Sequence, residues 1–185
     1  VLVTAASSSV GLAAIQVAKH AGATVIATSR GESKLGAIEA ARADCAVAAN
    51  SETMADMIKA STNGRDIDVV FDPIAGSMLP GVLPAVAPEG RIVLYGALGL
   101  QPTPLPLFDL IAKGITVAGF HVVYHLLQHT ERWASAHAAI EAGISSGAYR
   151  PVIDSRFELN EVVDAYRRLE SNEQVGKILV IPNGG

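Results

Sequence analysis

The feature that most restricts the fold is an alternation kept up for most of the chain: short apolar runs, each followed by a stretch with helical spacing. VLVTA (1–5) precedes a helix predicted from Val10 to His20, and a strand near 24–28 precedes one from Glu32 to Arg42. CAVAA leads into SETMADMIKAST, with Ser51 as its expected N-cap. DIDVVFD is followed by MLPGVLPAVA, an irregular helix broken by prolines, and then by the strand GRIVLYG. After QPTPLP come a helix over Leu107–Lys113, the strand GITVAGF and one long helix from about Tyr124 to Ser146. The strands are apolar on both faces, as parallel strands covered by helices on each side should be. Repeated strand–helix units of this kind predict an α/β fold built on a doubly wound six-stranded parallel sheet.

That order of elements matches the dinucleotide-binding, or Rossmann, arrangement. The chain has 185 residues, which suits one domain or one domain and part of another. Half the residues are hydrophobic and 17% are charged, which supports a buried core and excludes disorder. A net charge of −4 gives no attraction to nucleic acid or to an anionic membrane, and no apolar run has spanning length. The single Cys45 excludes an internal disulfide and a Cys-rich zinc site, and fits a reducing, cytoplasmic setting. VLVTAA lacks a basic leader and a cleavage site and does not read as a signal peptide. The chain opens on a valine inside a strand, so it is expected to be part of a longer polypeptide. From Tyr149 the rhythm changes: an extended, charged run, a helix with Asn160 as expected N-cap, and a last strand, KILVIP. With Pro151 marking the boundary, the predicted division is 1–148 and 149–185.

The first loop, TAASSSVG, stands where a dinucleotide fold cradles phosphate. Its three glycines normally permit a tight turn, close approach of the pyrophosphate, and close helix–strand packing. Aligned on Gly11, those positions are Ala6, Ser8 and Gly11. The replacements are small, and the serines add hydroxyl donors beside a helix N-terminus. An NAD site carries an acid at the end of the second strand to hold the ribose 2′-OH. Here Ser29 and Arg30 take that place, with Lys34 one turn on, a set suited to a 2′-phosphate and so to NADPH. Short-chain dehydrogenases share a similar loop but need Tyr-x-x-x-Lys; four residues beyond Tyr95, Tyr124, Tyr149 and Tyr166 stand Gly99, Gln128, Ile153 and Glu170.

Four blocks, AASSSVGLAAIQVAKHAGATVIATSR, DVVFDPIAG, GRIVLYGALG and FELNEVVDAYRRLESNEQVGKILVIP, carry a closer likeness. In this order and spacing they resemble the medium-chain dehydrogenase/reductase superfamily, in its zinc-independent quinone oxidoreductase branch, over essentially the whole chain. The resemblance implies that Ser8, Ser9 and Val10, with Gly11, line the pyrophosphate, and that Ser29, Arg30 and Lys34 take the 2′-phosphate. It places Asn50 near the adenosine, Ile74 at the end of the fourth strand, Gly96 and Ala97 by the nicotinamide ribose, and Phe120 and Val122 at the carboxamide. The missing loop glycines and Pro73 depart from the family pattern.

Such enzymes pass hydride from NADPH to a quinone or to the C=C of an enone. An N-terminal lobe lines their substrate cleft, and residues 149–185 resemble the return into that lobe. The catalytic residues are therefore unknown, and this chain alone is expected to bind cofactor weakly and not to turn over. The family also implies a homodimer through strand 115–121. The alternative is a non-catalytic nucleotide-binding sensor or scaffold. A zinc alcohol dehydrogenase is disfavoured by the serine-rich loop.

Other residues read more plainly. His121, His125 and His129 recur every four residues without a carboxylate or cysteine at ligand spacing, so no metal is expected. Cys45 reads as a small core residue, Asp72 as a loop or capping group, and Trp133 as packing the long helix on the sheet.

Overall fold

In a computed structural model that describes residues 1–182, the first six strands form one sheet. They are β1 (Leu2–Val3), β2 (Ile26–Ser29), β3 (Cys45–Ala48), β4 (Ile67–Asp72), β5 (Val86–Leu94) and β6 (Thr116–Gly119). Their spatial order is β3-β2-β1-β4-β5-β6, and every pairing is parallel. This is the predicted doubly wound Rossmann sheet, with the order reversing between β1 and β4.

Period-two geometry explains why the strands are apolar on both faces. Val3 and Ala27 point to one side, where they meet Leu12 and Ile15 of α1 (Ser9–His20) and Ile38 of α2 (Leu35–Ala40). Leu2, Ile26, Val70 and Ile92 point to the other. There they pack on Met54 and Ile58 of α3 (Met54–Ser61) and on Leu79 and Val82 of α4 (Met78–Val82). α5 (Leu107–Lys113) adds Leu110 to the same side and ends on Gly114, whose φ of 63° closes the helix in the left-handed region. Beyond the sheet lie α6 (Val122–Gln128) and α7 (Thr130–Ser145). A separate parallel pair, β7 (Ile153–Glu158) with β8 (Lys177–Ile181), flanks α8 (Val162–Glu170). No described helix is long and apolar enough to cross a membrane.

Several local expectations are corrected. The long helix is two, broken at His129, which leaves helical geometry at φ −132° and ψ 60°. Thr130 and Glu131 then open α7, and an acid in a first turn suits the positive end of a helix. Trp133 is 37% exposed and does not lie buried against the sheet. Ser51 does not cap α3; Asn50 Oδ1 accepts from the amides of Glu52 and Thr53, both at 3.0 Å. The Ser51 carbonyl instead lies against Gly81, where a Cβ would stand 2.0 Å from that oxygen. Asn160 is not a cap either: Glu158 and Glu161 form a reciprocal capping box before α8. Cys45 is half-buried at the edge of the core.

Candidate functional site

The first loop turns sharply because Ala5 adopts φ 46°, a strained left-handed conformation for alanine. The tight turn therefore sits one residue before Ala6, which is fully buried. Ser8 caps α1, its Oγ accepting from the amide of Gly11 at 3.0 Å. The amides of Ser9 and Val10 are left in the first turn without intrahelical partners. Gly11 performs the packing role of the family's third glycine: a Cβ there would lie 2.6 Å from Ala6 Cα and 2.7 Å from the Ala5 and Ala6 oxygens.

Asp72 takes the capping role expected of it at the end of β4. Its Oδ2 accepts from the amide of Ala75 at 2.7 Å, its Oδ1 from that of Ile74 at 3.2 Å, and Thr4 donates its hydroxyl to Oδ1. This fixes the turn carrying Ile74. The turn is clasped in its own right by the loop after β5, through Leu98 N to Pro73 O at 2.9 Å and Gly99 N to Ile74 O at 2.8 Å. Gly96 allows the approach, since a Cβ there would lie 2.8 Å from the Pro73 oxygen.

These strand ends enclose a cavity of about 630 Å³ over the carboxyl ends of β1, β2 and β4. Ser8, Ser29, Arg30, Lys34 and Ile74 line it, so the structure brings together most of the predicted phosphate-end residues. A smaller space of about 380 Å³ adjoins it, bordered by Arg30, Asn50 and Ile74. No carboxylate lines either space among the described residues. Gly11 lies behind the loop in the packing. Ser9, Val10, Gly96, Ala97, Phe120 and Val122 border neither space. Phe120 and Val122 are 42% and 50% exposed, past the end of β6.

Among the lining residues that the sequence did not single out are Met78, Asn172 and Gln174. The last two come from the turn between α8 and β8, which reaches across to Ser7 and Ser8 in the loop before α1. Lys34 Nζ donates to the carbonyl oxygens of Asn172 and of Gln174, the latter at 3.0 Å. Partial burial draws the Lys34 ammonium below its ordinary pKa, and the nearby Arg30 and Arg168 cations add to that effect. Behind the turn, the hydrogen bond from Arg168 holds the Asp154 carboxyl down at about 2. A folded pKa below the unfolded value gives stability that is present above about pH 4 and lost as pH falls through about 2. Asp154→Asn should therefore cost about 1–2 kcal/mol at neutral pH and flatten the stability loss between pH 4 and 2, read by urea unfolding across that range. A wild-type acid limb retained in the variant would contradict this.

His125 stacks on Phe120 with ring centroids 4.7 Å apart and lies 5.3 Å from His129. Among the described residues, no three His, Cys, Asp or Glu side chains converge as a metal site.

Comparison with known proteins agrees with this architecture. Residues 9–142 match the family described as zinc-binding dehydrogenase. The reducing polyketide synthase FUB1 of Gibberella fujikuroi is 29% identical over 98% of this chain, which covers 8% of that protein. The quinone oxidoreductase of Lama guanicoe is also 29% identical over 98% of this chain, here covering 54% of the relative. The mycobacterial Rv1454c structure complexed with NADPH superposes with a TM-score of 0.86 at 24% identity, over 98% of this chain and 57% of that one, a likeness of fold. The chain thus spans about half the length of the quinone oxidoreductase and under a tenth of the polyketide synthase. With residues 9–142 inside the family match and a quinone oxidoreductase among its relatives, the chain belongs to the zinc-binding dehydrogenases, in the quinone oxidoreductase-like branch of the medium-chain dehydrogenase/reductase superfamily, and carries that family's NAD(P)-binding domain.

Proposed function

We propose that this chain is the NADPH-binding portion of an oxidoreductase that transfers hydride from NADPH to a quinone or to the C=C bond of an enone. One observation carries the reading: Ser8, Arg30 and Lys34 border a single cavity whose described lining contains no carboxylate. Without an acid to accept from the ribose 2′-OH, and with two cations in its place, the site favours a phosphorylated ribose.

The residues present fit such a dinucleotide. The amides of Ser9 and Val10 and the hydroxyls of Ser8 and Ser9 meet the pyrophosphate. Gly11 keeps the helix close behind them. Arg30 offers a planar fork of donors to the 2′-phosphate from beside Ser29. Lys34 has three donors, two of them held by carbonyls, and directs the third to the same group. Asn50 borders the adenosine and Ile74 the middle of the cofactor. Gly96, Ala97, Phe120 and Val122 approach the nicotinamide end. The cofactor supplies the hydride; the protein's part is to hold its reactive ring against the acceptor and exclude water. Both acceptor classes are in keeping with relatives named as a quinone oxidoreductase and a reducing polyketide synthase. Residues 149–185 are assigned to the substrate lobe, and a cytoplasmic setting accords with the lone cysteine.

Replacing Arg30 and Lys34 together by alanine is the test of the site. NADPH affinity should fall by about 1–3 kcal/mol, with NADH affinity nearly unchanged, in a fluorescence titration. Equal losses for both cofactors would remove the assignment.

A homodimer through β6 belongs to the same reading. Among the described residues β6 ends the sheet with an unpaired edge, and it has no proline or lysine within it to blunt that edge. Leu107, Phe108 and Ile111 on the neighbouring α5 are exposed, Phe108 at 91%. Sedimentation should show a dimer at micromolar concentration, and Val117→Pro, which removes an edge N–H, should shift it to monomer. A wild-type monomer would contradict the assignment.

A further inference from the structure

The turn at 172–176 is tied on two sides. Toward the cavity, the carbonyls of Asn172 and Gln174 hold Lys34 Nζ, and the amide of Gly176 donates to the Ser7 carbonyl of the phosphate loop at 3.0 Å. Away from the cavity, Asp154 on β7 accepts from the amide of Val175 at 2.9 Å. The same carboxylate holds Arg168 of α8 through both oxygens, each at 3.1 Å, and Arg168 also bonds Glu173 at 3.1 Å. The Asp154 side chain is 8% exposed and borders neither cavity. The turn has little freedom to re-form, because Gly176 sits at φ 87° and a Cβ there would lie 2.4 Å from the Val152 oxygen.

We infer that Asp154, paired with Arg168, is a positioning residue for the 2′-phosphate of the cofactor, acting through the 172–176 turn on Lys34. The inference rests on the NADPH reading above. A lysine on a flexible four-carbon stem beside Arg30 and Arg168 would swing toward water to escape two like charges. The two carbonyls hold it over the cavity before ligand arrives, so less side-chain freedom is lost on binding. Those carbonyls point at Lys34 only while the turn keeps its shape. Its anchor on the C-terminal side is one carboxylate that both accepts an amide of the turn and grips Arg168. The pair stays ionised across the neutral range, since Arg168 holds the Asp154 carboxyl down at about 2.

The experiment titrates the chain with NADPH, NADH and 2′-AMP, following melting temperature in parallel. Asp154→Asn should weaken NADPH and 2′-AMP about tenfold and NADH about threefold at most. Asp154→Glu, which keeps the charge, should restore most of the loss. In Lys34→Ala, adding Asp154→Asn should cost little more, because the two act through one contact. Where Asp154→Asn melts below the assay temperature, Arg168→Gln leaves the Val175 amide with its acceptor and serves the same comparison. A wild-type preference for NADPH that survives Asp154→Asn and Arg168→Gln, or full additivity with Lys34→Ala, would overturn the inference alone. Equal wild-type affinities for NADPH and NADH would overturn the NADPH reading and the inference together.

Discussion

Gly11→Ala is expected to cost roughly 3–5 kcal/mol of folding stability, a large part of the 5–15 kcal/mol a domain usually has. The new Cβ would stand 2.6 Å from Ala6 Cα and 2.7 Å from two backbone oxygens. No flexible side chain is there to give way, and Ala5 and Ala6 are already fixed by the turn at φ 46° and by complete burial. Relief requires α1 to move off β1, which opens the packing of Leu12 and Ile15 against Val3. The control is Gly36→Ala in α2, where a Cβ meets nothing within 4 Å. Alanine there should be neutral or stabilise by about 0.5–1 kcal/mol, through helix propensity and a less flexible unfolded chain. Urea unfolding of the two variants reads the contrast; a Gly11→Ala midpoint equal to wild type would mean that close packing does not explain this glycine.

The second large effect is on turnover. NADPH oxidation with a small quinone or an enone should be at least about 100-fold slower with this chain than with a version extended N-terminally to the length of its quinone oxidoreductase relative. Gly96 and Ala97 are exposed, Phe120 is 42% exposed and Val122 50%, so among the described residues the proposed nicotinamide end has no second wall to exclude water or fix an acceptor. The outer face of α8 is open as well: Val163 is 57% exposed and Leu169 48%, while Val162 is half-buried. Comparable rates from the two chains would place the active site elsewhere. Cofactor binding without turnover in the extended chain would favour the sensor reading.

Much of this fold is legible because parallel strands covered on both faces leave uninterrupted apolar runs; five of the six such runs sit where the sequence places them within a residue or two, and the exception is β5, which starts at Val86, four residues before the run GRIVLYG. In β1 the ladder is only Leu2–Val3, since the chain turns away at Ala5. Helix ends are less legible. Asn50 and Ser51 are adjacent cap formers, and only the backbone decides which side chain meets the amides of Glu52 and Thr53. The break at His129 carries no proline or glycine, so the periodicity runs through it. At the site, the loop serines and the acid-free end of β2 are local signals and were readable. Asn172 and Gln174 were not: they lie more than 130 residues from Lys34 and join the cavity only through the topology. The same distance hides the fact that Lys34 is already held before any ligand arrives.

If the cavity selects a phosphorylated ribose, the unmodified chain must separate the two nicotinamide cofactors by affinity. Titrating the unmodified chain with NADPH and NADH at one ionic strength should give NADPH the tighter binding by about tenfold or more, narrowing as salt screens the exposed Arg30. Equal affinities, or tighter binding of NADH, would contradict the account.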